Sequence, residues 1–282
     1  MHTPDGHREY FTNIHAKAHA KPIHSPQQMK ISFVVPAYNE ESYLPRTLAA
    51  ILAQTANAPC PTEIIVVNNA STDRTREVAL SFQDVRVVDE PKKGLTHARQ
   101  AGMNASTGDV IANVDADSIL TPGWIEKVHR EFAQNPRLAG LSGPFIYYDL
   151  TPRQSFLVRL YYMAAYCAYL TNRYVLRVGS MLQGGNFVVR RSAVEQIGGF
   201  NLNISFYGED ADLARRLVAA GQVKFTFKLP MYSSARRLAR EGIATMALRY
   251  AANYISTTFL KRPVHTKHID IREVPHTGYQ KS

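Results

Sequence analysis

"ISFVVPAYNEESYLPRTLAAILAQT" (residues 31–55) holds three different periodicities in sequence. It begins with a β-branched apolar run, passes through the polar loop "PAYNE" (36–40), and then turns helical. Leu44, Leu48, Ile51 and Leu52 fall at i, i+4, i+7 and i+8, one apolar stripe of a helix. Ser42 is placed to cap that helix, and Pro45 is tolerable because it lies in the first turn. The stretch therefore reads as strand, loop and helix, with the stripe facing a sheet.

The same alternation repeats downstream as "EIIVV" (63–67), "DRTREVALSF" (73–82), "VRVV" (85–88), "GLTHARQAGMNAS" (94–106) and "VIANV" (110–114). Strands that alternate with helices predict an α/β fold with a parallel sheet wrapped by helices. Ligands of such sheets sit beyond the carboxyl ends of the strands. "PAYNE", "NNASTD" (68–73) and "DAD" (115–117) all fall at those ends. Thr121 and Pro122 predict a helix start, with Ile125, Val128 and Phe132 on one face, and "AGLSGPFIYY" (139–148) reads as a further strand. The regular alternation then stops. Residues 156–178 are rich in Tyr and Leu, "QGGNFVVRRSAVEQIGGF" (183–200) reads as loop, strand, short helix and turn, and "YGEDADLARRLVAAG" (207–221) as a helix with Leu213 and Leu217 inward.

Composition limits the function. With 282 residues, 45% of them hydrophobic, the chain can bury one large core or two closely joined halves. A formal charge of +10 favours anionic partners without choosing among them. Cys60 and Cys167 form neither a disulfide framework nor a cysteine metal site, which fits a reducing cytoplasm. Residues 1–29 are polar and read as a disordered tail rather than a signal. A membrane-spanning helix needs about 20 apolar residues, and arginines or lysines fence both aromatic stretches, 160–172 and 250–260. No helix-turn-helix, zinc-finger or RNP pattern supports nucleic-acid binding. The first strand lacks the Gly-rich basic loop a nucleotidyltransferase would want and the G-x-G-x-x-G of a dinucleotide enzyme.

Asp115 and Asp117 close an apolar run bound for a buried strand. In extended backbone, residues i and i+2 point to the same side, so the two carboxylates would share one space. Mg²⁺ or Mn²⁺ held by one or two carboxylates and completed by substrate phosphates suits that pair. Asp115 and Asp117 could instead cap a turn, and Glu209 and Asp210 could be a helix N-terminal cap.

Taken together, "VVPAYNEESYLPRTLAAILAQ", "EIIVVNNASTDRT", the D-x-D, "QGGNFVVRRSAVEQIGGF" and "GEDADLARRLVAAG" resemble a family 2 glycosyltransferase of GT-A fold. The resemblance covers residues 30–237 and implies a Rossmann-like nucleotide-binding half (30–118) with a mostly parallel mixed sheet, fused to an acceptor-binding half (119–237). It implies inverting transfer of a sugar from a nucleoside diphosphate sugar, UDP by family frequency, to a hydroxyl of a glycan or lipid-linked acceptor, with Mg²⁺ or Mn²⁺. On its pattern Pro36, Ala37, Tyr38, Glu40 and Ala116 would line the nucleotide pocket. Asn69 would lie near the base, and Asp115 near the ribose and metal. Asp117 would be the principal metal ligand and Asp210 the general base. Gly185 and Asn186, with Gly184 and Glu209, would border the donor sugar or acceptor. Arg236 and Arg237 would engage the diphosphate or form a solvated surface pair, and Arg99, with Lys92 and Lys93, could meet phosphate or base.

Two features depart from the family's pattern. Asn68 stands where many relatives have Asp, and the Q-x-x-R-W signature of processive synthases is missing. A non-catalytic sugar-nucleotide or glycan-binding relative is the competing reading. A C-terminal amphipathic helix is expected over 238–262 and a loose tail over 263–282. The Arg-flanked segments 157–177 and 243–262 could lie on a membrane surface at its cytoplasmic face or form core helices; both readings are open on the sequence.

Overall fold

A computed structural model describes residues 28–176, 178 and 180–264. The tails expected at 1–29 and 263–282 lie almost wholly outside them. The described chain runs β1 (Ile31–Ala37), α1 (Leu44–Thr55), β2 (Thr62–Asn68), α2 (Thr75–Leu80), β3 (Val85–Asp89), α3 (Leu95–Ala105), β4 (Val110–Val114) and β5 (Ser118–Leu120). There follow α4 (Trp124–Gln134), β6 (Leu138–Ser142), β7 (Phe145–Tyr147), α5 (Pro152–Leu170), β8 (Asn186–Arg190), α6 (Arg191–Gln196), α7 (Glu209–Leu217), β9 (Gln222–Phe225), β10 (Met231–Ser233), α8 (Arg236–Glu241) and α9 (Ile243–Leu260).

Seven strands form one sheet in the order β3-β2-β1-β4-β8-β6-β9. β1 to β4 are parallel neighbours, whereas β8 runs antiparallel to both β4 and β6. β5, β10 and β7 make a small second sheet. The expected α/β fold with a mostly parallel mixed sheet is the one observed.

Alternate residues of β1 explain its continuous apolar run, because both faces of the strand are covered. Phe33 and Val35 pack on one side with Leu44, Leu48 and Ile51 of α1, and Val34 on the other with Ala98 and Met103 of α3. Each such fully buried large aliphatic contributes about 1.5–3 kcal/mol. Where α3 crosses β1, a Cβ on Gly102 would sit 2.2 Å from Val34 Cγ1, so glycine sets that close approach. A third cluster gathers Tyr162 and Tyr169 of α5, Phe225 of β9, Leu238 of α8 and Met246 of α9.

Several boundaries differ from the expectations. Ser42 does not cap α1; Tyr43 holds that position without a side-chain bond, and Glu40 O accepts from Leu44 N at 2.9 Å. Likewise α4 begins at Trp124 after a left-handed Gly123, because the Thr121 hydroxyl donates to Pro230 O at 2.7 Å instead. "AGLSGPFIYY" is two strands, β6 and β7, in different sheets. Its break is Gly143, where a Cβ would overlap Leu229 O. α5 begins earlier than the aromatic run, at a capping box of Thr151 and Gln154, and passes into a π-helical turn, Thr171–Leu176. The single helix expected over 238–262 is two helices, α8 and α9. Gly242 at φ 83 interrupts the backbone between them.

Candidate active site

One cavity opens at the carboxyl ends of β1 and β4, and the loops that the sequence singled out converge on it. Pro36, Ala37, Tyr38, Glu40, Asn69, Arg99, Asp115, Ala116, Asp117, Gly184, Glu209, Asp210, Arg236 and Arg237 all line it.

The "PAYNE" loop is held by its neighbour. Asn39 adopts φ 51 and accepts from Thr72 N at 2.8 Å, while Glu40 N donates to Thr75 Oγ1 at 2.7 Å. Lys93 sits over the Tyr38 ring, its Nζ 3.9 Å from the centroid. Asn69 borders the cavity, but its amide is committed to the backbone of the adjacent loop. It donates to Glu90 O at 3.0 Å and Lys92 O at 2.8 Å and accepts from Gly94 N at 2.8 Å. Asn68 donates to Asp89 at 2.8 Å.

Asp115 to Asp117 is a turn rather than extended chain, closed by Ser118 N donating to Asp115 O at 3.0 Å. The i, i+2 alternation of a strand therefore does not apply, although both carboxylates still reach the cavity. Ala116 forms the corner, and its carbonyl accepts from Thr47 Oγ1 at 2.7 Å. Each acid faces an arginine, Asp115 facing Arg99 at 3.5 Å and Asp117 facing Arg236 Nε at 2.9 Å. Among the described residues, no three His, Cys, Asp or Glu side chains gather to hold a metal ion. Two carboxylates in one turn fit an ion whose remaining ligands come from substrate phosphates, not an all-protein cage.

Arg99 is 1% exposed, and three carboxylates surround it. It donates to Glu209 and faces Asp115 and the charge of Asp210. Burial opposes its charge, but those acids outweigh burial and hold the guanidinium above its ordinary value. One cation among three acids leaves an excess of negative charge. Burial, with Asp210 and Asp115 nearby, pushes Glu209 up to about 7 against the pull of Arg99. Arg99 is thus a clamp between the D-x-D and the E-D pair. That role was not legible in its sequence position.

Asp210 is also raised above the ordinary carboxylate range by burial, against donation from Gly184 N at 3.0 Å and Ala211 N at 2.8 Å. The helix α7 that carries Glu209 and Asp210 starts at Gly208, φ 84. The cap reading of these acids does not hold: Gly208 is the cap, and both acids face the cavity.

The G-G-N segment divides its tasks. Gly184 touches Asp210, whereas Gly185, at φ 78, lies against Asp115 so closely that a Cβ would be 2.0 Å from Oδ2. Asn186 does not line the cavity. It is fully buried and donates to Gly143 O and Leu229 O, each at 3.0 Å, while Trp124 Nε1 donates to it. Gly185→Ala is expected to cost about 1–2 kcal/mol in backbone strain alone and to displace Asp115. Urea unfolding and nucleotide titration with and without Mn²⁺ measure the two effects separately.

Arg236 and Arg237 are not a solvated surface pair. Arg236 bridges Glu40 and Asp117 and lies over the Tyr43 ring; Arg237 pairs with Glu241 at 3.1 Å and lies over Phe206. Asp117 and Glu40 hold Arg236 above its ordinary value although burial opposes its charge. His97 and His129 do not line the cavity. Tyr147 and Tyr250 line it without having carried any motif. They come from β7 and α9, about a hundred residues apart in the chain, and no local sequence signal reports that the two elements reach one cavity.

The sequence model of Glycosyl transferase family 2 matches residues 32–198 of this chain. The chain belongs to that family. The family 2 match takes in the D-x-D and G-G-N segments and ends before Glu209. Among curated relatives, the glucosyl-dolichyl phosphate glucuronosyltransferase of Haloferax volcanii is 25% identical over 64% of this chain and 59% of its own length. The probable glycosyltransferase YdaM of Bacillus subtilis is 28% identical over 68% of this chain and 47% of its own. The chain thus spans about half the length of these relatives. Solved structures share the GT-A fold. Mannosyltransferase PcManGT from Pyrobaculum calidifontis, in complex with GDP-Man and Mn²⁺, aligns with TM-score 0.59 at 21% identity over 83% of this chain and 64% of that one. Glucosyl-3-phosphoglycerate synthase from Mycobacterium tuberculosis, in complex with Mn²⁺, UDP and phosphoglyceric acid, aligns with TM-score 0.56 at 21% identity over 82% and 79%.

Proposed function

We propose that this family 2 member transfers a sugar from a nucleoside diphosphate sugar, a UDP-sugar in the first instance, to an acceptor hydroxyl with inversion at the anomeric carbon. The observation that carries the reading is a half-buried carboxylate, Asp210, in the same cavity as the Asp115–Asp117 turn and Arg236.

In this mechanism Asp210 takes the acceptor's hydroxyl proton as the oxygen forms its bond to the anomeric carbon. The bond from that carbon to the diphosphate breaks, and its electron pair leaves with the diphosphate. Burial makes Asp210 a stronger base, and the two backbone amides fix its aim. Asp115 and Asp117 would hold Mg²⁺ or Mn²⁺, which when bound supplies positive charge to the departing diphosphate. Arg236 and Arg237 would add guanidinium charge there. Pro36, Ala37, Tyr38 and Ala116 would line the nucleotide side, with Glu40 positioning Arg236. Arg99 acts through Glu209 and Asp115 as a positioning residue.

Thermal unfolding with UDP, GDP, CDP and dTDP, each with and without Mn²⁺, tests the donor side. A nucleotide at about 100 times its Kd stabilises by about 2.7 kcal/mol. A Mn²⁺-dependent shift with one nucleotide is expected; no shift with any overturns the reading.

The pH dependence has two opposite parts. Asp210 must be ionised to accept a proton, so the transfer rate is expected to fall as pH drops through its raised value. Glu209 acts on stability instead. Its folded-state value of about 7 lies above the unfolded carboxylate value of about 4.3, so the folded chain binds the extra proton in that window. That contribution is fully present below the unfolded value and is lost as pH rises through about 7. Urea midpoints at acid and neutral pH should show the loss, and Glu209→Gln should flatten it.

A further inference from the structure

A second cavity, of about 620 Å³, lies between α5 and α9 and shares part of its wall with the first. Residues common to both linings include Gln183, Gly208, Asp210 and Tyr250, so the apolar space reaches the proposed base. Alanines make the room: Ala164, Ala165 and Ala168 on α5 face Ala247 and Ala251 on α9 across it. Ala-sized side chains beside Tyr162 and Met246 of the third cluster leave a slot instead of a packed seam.

The outer surfaces of the same helices are apolar where solvent-facing helices are normally polar. On α5, Phe156, Leu160 and Met163 are exposed at helical spacing. On α9, Leu248 is 73% and Phe259 52% exposed, with Ile255 between them, and all three border the cavity. Neither helix contains a carboxylate, while Arg153, Arg159, Lys261 and Arg262 are exposed along them or just beyond. No helix among the described residues is long and apolar enough to cross a membrane. Exposed apolar rows with basic residues and no acids suit the surface of an anionic bilayer.

We infer that the acceptor is a membrane lipid whose hydrocarbon chain lies between α5 and α9 and whose hydroxyl-bearing head reaches Asp210. This rests on the glycosyl-transfer reading for the role of Asp210, but the chain site is defined by the cavity itself. The outer faces of α5 and α9 dock on the bilayer, and the slot between them admits the chain without carrying it through water. The Tyr161 hydroxyl in the wall of the slot, raised to about 12 by burial, stays protonated and adds no charge.

The test uses the full chain and a dodecyl glucoside tagged with dansyl at the chain end, kept below its micelle concentration. Saturable one-site binding is expected. Ala165→Trp and, independently, Ala251→Phe should each weaken it at least tenfold while keeping the Mn²⁺-dependent nucleotide shift of the wild type, which shows that the variants fold. Flotation with phosphatidylglycerol vesicles should succeed at low salt, fall with added salt, and weaken in a Phe156→Ser, Leu248→Ser double variant. No saturable binding, or equal binding by both filled variants, overturns the inference. So does a wild-type dimer that Ala165→Trp dissociates, since a second copy would then fill the slot. Probe binding seen only after removal of residues 265–282 also overturns it, because that segment would be the occupant. A nucleotide shift without probe binding sinks the lipid site alone; probe binding without any nucleotide shift sinks the glycosyl-transfer reading alone.

Discussion

Asp210→Asn is expected to lower sugar transfer by roughly 10² to 10⁴, the range for loss of a positioned general base, with nucleotide affinity unchanged. Asn keeps the size of Asp and can still accept from Gly184 N through its carbonyl, so the loop that Asp210 buttresses stays in place. What it cannot do is take a proton. The deficit should therefore appear in kcat and not in donor KM, because removal of a group used only in the transition state leaves ground-state binding alone. The pH–rate profile sharpens the test: the acid limb of the wild type should be gone in the variant's residual activity. Full turnover by Asp210→Asn would remove the assignment.

Arg99→Met should be the most destabilising single change in the site. Met fills much of the volume but strands Glu209, Asp115 and Asp210 around an apolar side chain. Removing one partner of a buried ion pair costs about 3–5 kcal/mol, a large part of the roughly 5–15 kcal/mol that holds an ordinary domain folded. Urea unfolding reads the cost directly. The double variant Arg99→Met, Glu209→Gln should recover part of it, since a neutral side chain at 209 leaves two uncompensated carboxylates, Asp115 and Asp210, instead of three, and the recovered fraction is the coupling between the pair. Arg99→Lys keeps the charge but loses the planar fork that reaches two acids, and should fall between. A cost below that of an ordinary surface substitution in Arg99→Met would show that the clamp does not hold the acids.

Periodicity made much of the fold legible. Leu44, Leu48 and Ile51 face the sheet, and "PAYNE", "NNASTD" and "DAD" meet at strand ends, because strand-helix alternation restricts where a loop can emerge. Legibility ends where a residue's partner lies far along the chain. The glycine neighbours of Asn186 point it toward a ligand, yet its amide is spent on carbonyls more than forty residues away. Asn69 touches the cavity but is committed to a loop over twenty residues on. The arginine clamp joins residue 99 to residue 209, and the second bridge joins Arg236 to Glu40. The helix caps expected at Ser42 and Thr121 fall elsewhere because tertiary acceptors and glycine conformations take precedence over local propensity.

The position of β8 also decides how this chain can be cut. A fragment ending near residue 118 would seem to isolate a nucleotide-binding module. Yet β8 is supplied from residues 186–190 and pairs along the whole of β4. Excision would bare one edge of the buried strand Val110–Val114, leaving the amides and carbonyls that face β8 unpaired at a new sheet edge. Such a fragment should recruit other strands and precipitate. The half of this molecule that carries β1 to β4 is not a portable unit.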